Sequence, residues 1–346
     1  MTSQPPLPEK PATPANDGPL PPLPPVEAPS AGFIMQLFLI PLIIVSIIVV
    51  VWMMFSWLAH LGSDPLDLVK DLRSTKANRW QTALTLSNHL RNPEHAQLLD
   101  DKGLAAELAD VLSQETPADV SDPESIKGTI EMRVFLCRAL GEFHVATPLP
   151  ALIQAAAEER SPDEITVRRA AVEAIAILDS NLPEESLSNN DEVIRVLIKA
   201  SQDRSNNAAE NEARENLRAT AAFALGVIGG EAAQARLRLM LDDAAANVRY
   251  NAATGLARHG DLECTRVLME MLDPDNPHAV KDEQSEDGRK WKRVLVMNNA
   301  IRAITQLAEQ HPDNPFPELR AALQNVIDNA PDKSVQVEAR EVLDHL

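Results

Sequence analysis

The sequence predicts an all-α chain: an α-solenoid of stacked helix pairs, preceded by a proline-rich tail and one transmembrane helix. Three observations lead there. Residues 37–55 read LFLIPLIIVSIIVVVWMMF, nineteen residues with no charge. After Asp64 the apolar residues recur with a helical period, and the pattern repeats along the chain. Hydrophobic residues make up 45% of the chain but aromatics only 3%, and the excess of Ala, Leu, Val and Ile suits closely packed helices better than sheets.

The tail, residues 1–31, holds eleven prolines. Proline fixes φ and lacks an N–H, so this stretch forms neither a strand ladder nor a regular helix. It is expected to be an extended spacer, partly polyproline II. The transmembrane helix is expected over 32–61. Roughly 20 residues at ~1.5 Å rise cross a hydrocarbon slab of about 30 Å. Pro41 lies near the start of the span, where a lost backbone bond is most easily tolerated. Trp52 and Trp57 lie toward its end, where indoles favour the interface. A cleaved signal peptide would begin with basic residues and carry a shorter apolar core, and this segment has neither feature. Lys70, Arg73, Lys76 and Arg79 follow the span, while no Lys or Arg lies in the matching stretch before it. That asymmetry predicts a single-pass protein of the cell membrane with residues 63–346 in the cytoplasm.

The remainder of the chain is acidic. The whole sequence carries 32 Lys+Arg against 51 Asp+Glu, and residues 1–62 hold only Lys10 against Glu9, Asp17 and Glu27, so about −17 of the −19 falls on the rest. Such a domain repels a phosphate backbone, and no nucleic-acid partner is expected. The two cysteines, Cys137 and Cys264, lie far apart inside helical patterns and read as small core residues, not a disulfide or a zinc site.

The repeat is clearest at Leu241-Asp242-Asp243-Ala244-Ala245-Ala246-Asn247-Val248-Arg249, continued by Ala252, Gly255-Leu256 and Gly260. Leu217-Arg218, Ala221, Ala224-Leu225-Gly226 matches it, as do Val167-Arg168, Ala171, Ala174-Ile175 and Met132-Arg133, Leu136, Ala139-Leu140-Gly141. Val296, Ala300, Ala303-Ile304 and Val335, Ala339, Val342-Leu343 fit without the arginine. The apolar offsets 0, +4, +7 and +8 form one stripe on a helix, and small residues at +4 and +7 admit a close neighbour. The anchors at 132, 167, 217, 248, 296 and 335 are 35, 50, 31, 48 and 39 residues apart. Second amphipathic helices are expected over 150–159, 191–202, 231–242, 261–272 and 317–329. The long intervals hold polar insertions, 201–215 and 274–290, expected as loops. Upstream, 65–73, 77–90 and 103–112 read as poorer helices forming an N-terminal cap.

The pattern LxDxxxxVRxxAxxALGxxG resembles the HEAT repeat, and its short form resembles the phycobilisome-lyase HEAT-like repeat of the armadillo-like helical type. The resemblance covers about residues 120–346, and what it implies is a right-handed solenoid. It also implies that an Asp before each first helix and an Arg early in it form a hydrogen-bonded ladder between repeats. Asp243 with Arg249 matches that motif in full, while Arg133, Arg168 and Arg218 match the arginine alone. Met297 and Gln336 stand where the last two repeats lack it, so the ladder is expected to end before them.

No catalytic, metal or cofactor-binding residues are expected. Deoxyhypusine hydroxylases, which are HEAT-like enzymes, carry repeated His-Glu pairs, and this chain has no His-Glu dipeptide. Its histidines stand singly and read as solvated or capping groups. There is no GxGxxG, GxxxxGK[ST], GxSxG or HExxH. Gly226-Val227-Ile228-Gly229-Gly230 reads as a C-cap and turn. In that family the second helices line the concave side, and here they carry Arg195, Lys199, Arg236, Arg238 and Arg266. These are the candidate partner-binding residues, and an acidic peptide is the partner they fit. The function expected is a membrane-anchored scaffold or adaptor that binds an unidentified protein and is not an enzyme. The alternative is a bilin-lyase-type enzyme, or an accessory to one, built on the same repeats.

Overall fold

A computed structural model of the protein describes residues 30–60, 65–73, 79–116, 121–182, 187–205 and 207–346. The proline-rich tail therefore lies almost wholly outside the described residues. Among those described there are helices and turns but no strand. The chain divides into two compact units, Met1–Gly62 and Ser63–Leu346.

Among the described residues the first unit is one continuous helix, α1 (Ala31–His60), with Pro41 inside it. Every side chain from 35 to 55 is exposed. The window Met35–Ser56 is 22 residues long with a mean hydropathy of 3.0, so α1 is long and apolar enough to cross a membrane.

The second unit begins with α2 (Pro65–Leu72), α3 (Arg79–Leu90) and α4 (Lys102–Gln114). There follow α5 (Pro123–Gly141) with α6 (Leu149–Ala157), α7 (Ile165–Asn181) with α8 (Asp191–Ser201), and α9 (Ala208–Ile228) with α10 (Glu231–Met240). Next come α11 (Ala246–Arg258) with α12 (Thr265–Leu272), then α13 (Glu286–Gln310) with α14 (Pro317–Asn329), and last α15 (Lys333–His345). From α3 to α15 each odd helix packs on the next odd one, and the even helices pack alongside, each against the odd helix that follows it. This is a two-layer solenoid.

The apolar stripe explains the stacking. Met132, Leu136, Ala139 and Leu140 are buried, and so are Val167, Ala171, Ala174, Ile175 and the equivalent residues of α9, α11 and α13. In α15 Val335 and Ala339 are buried, whereas Val342 and Leu343 are only half-buried. Small residues set the spacing between odd helices. A Cβ on Gly226 would stand 2.6 Å from the Gly255 Cα, so α9 and α11 meet backbone to backbone.

The insertions differ in part from the loops expected of them. Helix α9 already begins at Ala208, so about half of 201–215 is helical, whereas α13 begins at Glu286 and most of 274–290 is the loop expected, with one 3₁₀ turn at His278–Val280. At Ser285 the hydroxyl accepts the Gly288 N–H at 3.0 Å, with Glu286 and Asp287 in the first turn, a favourable N-terminus. In α9, Arg214 bonds Glu210 one turn earlier at 3.0 Å. The 3₁₀ segment Pro93–Asp100, capped by Asn92, was not visible in the apolar pattern because its period is not that of an α-helix.

Candidate partner-binding surfaces

Three sets of polar side chains recur along the solenoid. Two of them hold it together, and the third is left open.

The first set is the arginine ladder. Arg133 on α5 is 1% exposed and donates to Glu164, whose other oxygen accepts the Arg160 N–H at 3.1 Å. Arg168 on α7 donates to Asp203 and to Glu159, each at 2.6 Å. Arg214 joins the same two acids. On α9, Arg218 reaches both carboxylate oxygens of Asp243 at 3.2 Å, and Arg204 adds a bond at 2.8 Å. In each case an acid preceding one odd helix receives the arginine of the odd helix before it. The ladder thus bonds repeat to repeat.

Two expectations need correction. Arg249 does not pair with the Asp243 carboxylate. It donates to the Asp243 main-chain carbonyl at 2.8 Å and pairs with Glu270, because the carboxylate is already taken by Arg218 and Arg204. Arg133, Arg168 and Arg218 do have acids, although the motif assigned them none. The signal was an acidic residue shortly after each even helix, as at Glu164, Asp203 and Asp243. The same rule finds Arg79, which the repeat pattern missed, bonded to Glu115 through both oxygens at 2.8 and 2.7 Å. Beyond Arg249, Gln336 on α15 donates to the Ala330 carbonyl at 2.6 Å instead.

Burial raises the affinity of Asp243 for a proton, but the bonds from Arg218 and the Ala245 N–H, with the Arg218 and Arg204 charges, outweigh it and hold the carboxyl below its ordinary range. Asp203 is held down in the same way, against burial, by Arg214 and Arg168. Replacing Arg249 with alanine is expected to cost about 1–3 kcal/mol by stranding two carbonyls and Glu270, read as a lower melting temperature by circular dichroism.

The second set contains the basic residues expected to form a partner-binding strip on the even helices. Lys199 on α8 donates to the Ala157 carbonyl, the last residue of α6, at 3.2 Å. Arg236 on α10 bonds Ser201, the last residue of α8, through Oγ at 2.7 Å and the carbonyl at 3.0 Å. Arg266 on α12 reaches the Leu241 carbonyl, just past α10, at 3.3 Å, and Asp242 at 2.6 Å. Each cation satisfies the carboxyl end of the preceding even helix, where free carbonyls and the dipole favour positive charge. Arg238 pairs with Asp261 at 2.6 Å. Arg195 alone of the five has no bond or ion pair among the described residues. The structure therefore engages four of the five in internal ties rather than leaving them free for an acidic peptide.

The odd helices show a matching device. The Nε2 of His259 donates to the Gly226 carbonyl at 2.9 Å and that of His311 to the Gly260 carbonyl at 2.6 Å, each reaching back to the preceding odd helix. Burial pushes the Cys137 and Cys264 thiols up to about 12, so both remain protonated core residues. Among the described residues no group of three or more His, Cys, Asp or Glu is placed to hold a metal ion.

The third set lies on the exposed face of the odd helices and is open. Arg169 on α7 borders three cavities there, of about 450, 290 and 230 Å³. Arg138, Thr220, Phe223 and Asn251 share the largest of them. Nothing in the repeat motif marks Arg169, since it follows the ladder arginine directly and points about 100° away from it on the helix.

The family model for HEAT repeats matches residues 206–285. Among solved structures, an engineered protein is 18% identical, with 82% of this chain and 96% of that one covered at a TM-score of 0.38. Human deoxyhypusine hydroxylase in complex with glycerol is 19% identical, with 83% and 86% covered at a TM-score of 0.32. No curated protein matches the chain. The repeated stripe, the two-layer stack and the matched segment agree: the chain carries HEAT repeats at residues 206–285 within a HEAT-like stack of helix pairs.

Proposed function

We propose that the chain is a membrane-anchored scaffold that binds another protein and performs no catalysis of its own. The observation that carries this reading is α1, whose Met35–Ser56 window has no buried residue at a mean hydropathy of 3.0. Water does not tolerate so long an uncovered apolar cylinder, whereas lipid is its natural solvent. Lys70 and Arg73 after the helix favour a cytoplasmic solenoid. A stack of helix pairs offers a long surface with few loops for positioning reacting groups, and tethering raises its effective concentration for partners at the membrane.

The test is fractionation of cells making the full chain. The protein is expected to stay in the membrane pellet after alkaline carbonate and to leave it in detergent. Protease added outside intact cells should spare the solenoid. Release by carbonate alone would sink the anchor, and an absence of protein crosslinked to the solenoid at the membrane would sink the scaffold.

A further inference from the structure

We infer that the open groove on the odd-helix face is a binding site for an extended segment of a partner protein, one carrying a carboxylate two positions from an apolar side chain. This rests on the scaffold reading and assigns it a surface and a chemistry.

Arg169 is the reason. It is half-buried, yet it has no hydrogen bond or ion pair among the described residues. Arg168 beside it is saturated by two carboxylates. A guanidinium held partly out of water without an anion is unfavourable. In a domain with so large an acidic excess, a carboxylate supplied from outside relieves that cost. Arg138 borders the same cavity and adds positive charge. Glu173, one helical turn along α7, borders the same cavity and Glu212 borders the smallest one; neither forms an ion pair with Arg169 among the described residues, and with these two acids present the groove accepts one carboxylate and repels a run of them.

The other walls suit a peptide. Phe223 presents 39% of its surface to solvent and offers a platform for an apolar side chain. Asn251 uses its amide N–H on the Ala219 carbonyl at 2.8 Å and keeps its oxygen for an incoming N–H. Asn216 borders the two smaller cavities, and its side chain bonds nothing among the described residues. A carboxamide matches both the donor and the acceptor of a peptide bond. From α5 to α11 there are three interhelical steps of about 8–10 Å, which an extended strand of about eight residues spans at ~3.3 Å each. Alternate side chains of such a strand fall on one face, which is why the carboxylate and the apolar residue stand two positions apart.

The test uses the full chain in detergent micelles and fluorescein-labelled octapeptides with Asp at position four and Phe or Leu at position six, the rest Ser, Thr and Ala. Fluorescence anisotropy is expected to show saturable binding that weakens about tenfold when peptide Asp becomes Asn or Lys. Arg169→Gln should weaken the Asp peptide by a similar factor and abolish the difference between Asp and Asn peptides, the signature of direct pairing. Phe223→Ser should weaken the Phe and Leu peptides alike. Circular dichroism checks folding, and Arg169→Lys supplies a second variant, one that keeps the charge. Equal binding of Asp and Asn peptides, an unchanged Asp–Asn difference in Arg169→Gln, or no binding at millimolar peptide overturns the inference. If the anchored chain crosslinks a membrane-proximal protein equally well with and without Arg169→Gln, the groove falls while the scaffold reading stands.

Discussion

Replacing Asp243 with alanine is expected to destabilise the solenoid by about 3–5 kcal/mol, more than any other single polar change. The Asp243 side chain is 3% exposed and the Arg218 side chain 5%, so the variant leaves a buried guanidinium with only the Asp203 carbonyl at 3.0 Å. It also frees Arg204 and the Ala245 N–H. Asp243→Asn keeps the volume and part of the bonding, and a smaller loss is expected. The readout is the melting temperature of the full chain in detergent, followed by circular dichroism.

The same pair sets an acid limit. The folded carboxyls of Asp243 and Asp203 are held below their ordinary value, so the unfolded chain takes up protons first as pH falls. Their contribution is fully present above the ordinary carboxylate value of about 3.9 and is lost as pH drops through it toward the lower folded values. Stability of the wild type should therefore fall steeply below about pH 4, and this part of the fall should be weaker in Asp243→Asn. A pH profile of the melting temperature that is identical in the two proteins would contradict the assignment.

Gly226→Val is expected to be comparably damaging, at about 3 kcal/mol. The new Cβ would meet the Gly255 Cα at 2.6 Å, and the obstacle is backbone, which cannot swing aside. Helices α9 and α11 would have to separate and thereby loosen Leu225 and Leu256, both fully buried. Even Gly255→Ala, whose Cβ falls 2.8 Å from the Gly226 Cα, should lose more to the clash than the roughly 1 kcal/mol that alanine gains in helix propensity. Gly128 is the contrast. A Cβ there meets only Trp80 at 3.9 Å, so Gly128→Ala should stabilise α5 by about 0.5–1 kcal/mol. Hydrogen exchange of the α9 and α11 amides distinguishes local separation from a general loss of stability.

The sequence by itself determined the helical period, the apolar stripe and the long uncharged run of α1. These are local properties: which residues share a face depends only on the helix repeat, and the length of an apolar run can be counted. Arginine at the second position of each repeat was legible for the same reason, and so was the end of the ladder at Met297 and Gln336. The tertiary structure alone decided partners. Asp243 and Arg249 are close in sequence and look like a pair, yet the Asp243 carboxylate faces the preceding repeat, where Arg218 lies within reach. Lys199, Arg236 and Arg266 look like free surface charge from their helical positions. They are engaged because stacking brings the end of the preceding even helix, with its unsatisfied carbonyls, beneath them. Arg169 looks like a neighbour of the ladder, yet it forms no ion pair among the described residues, although Glu173 and Glu212 border the same cavities. Pairing in a solenoid is set by the offset between successive helices, a distance in space, and the acid shortly after each even helix reads as a ladder partner only once that offset is known.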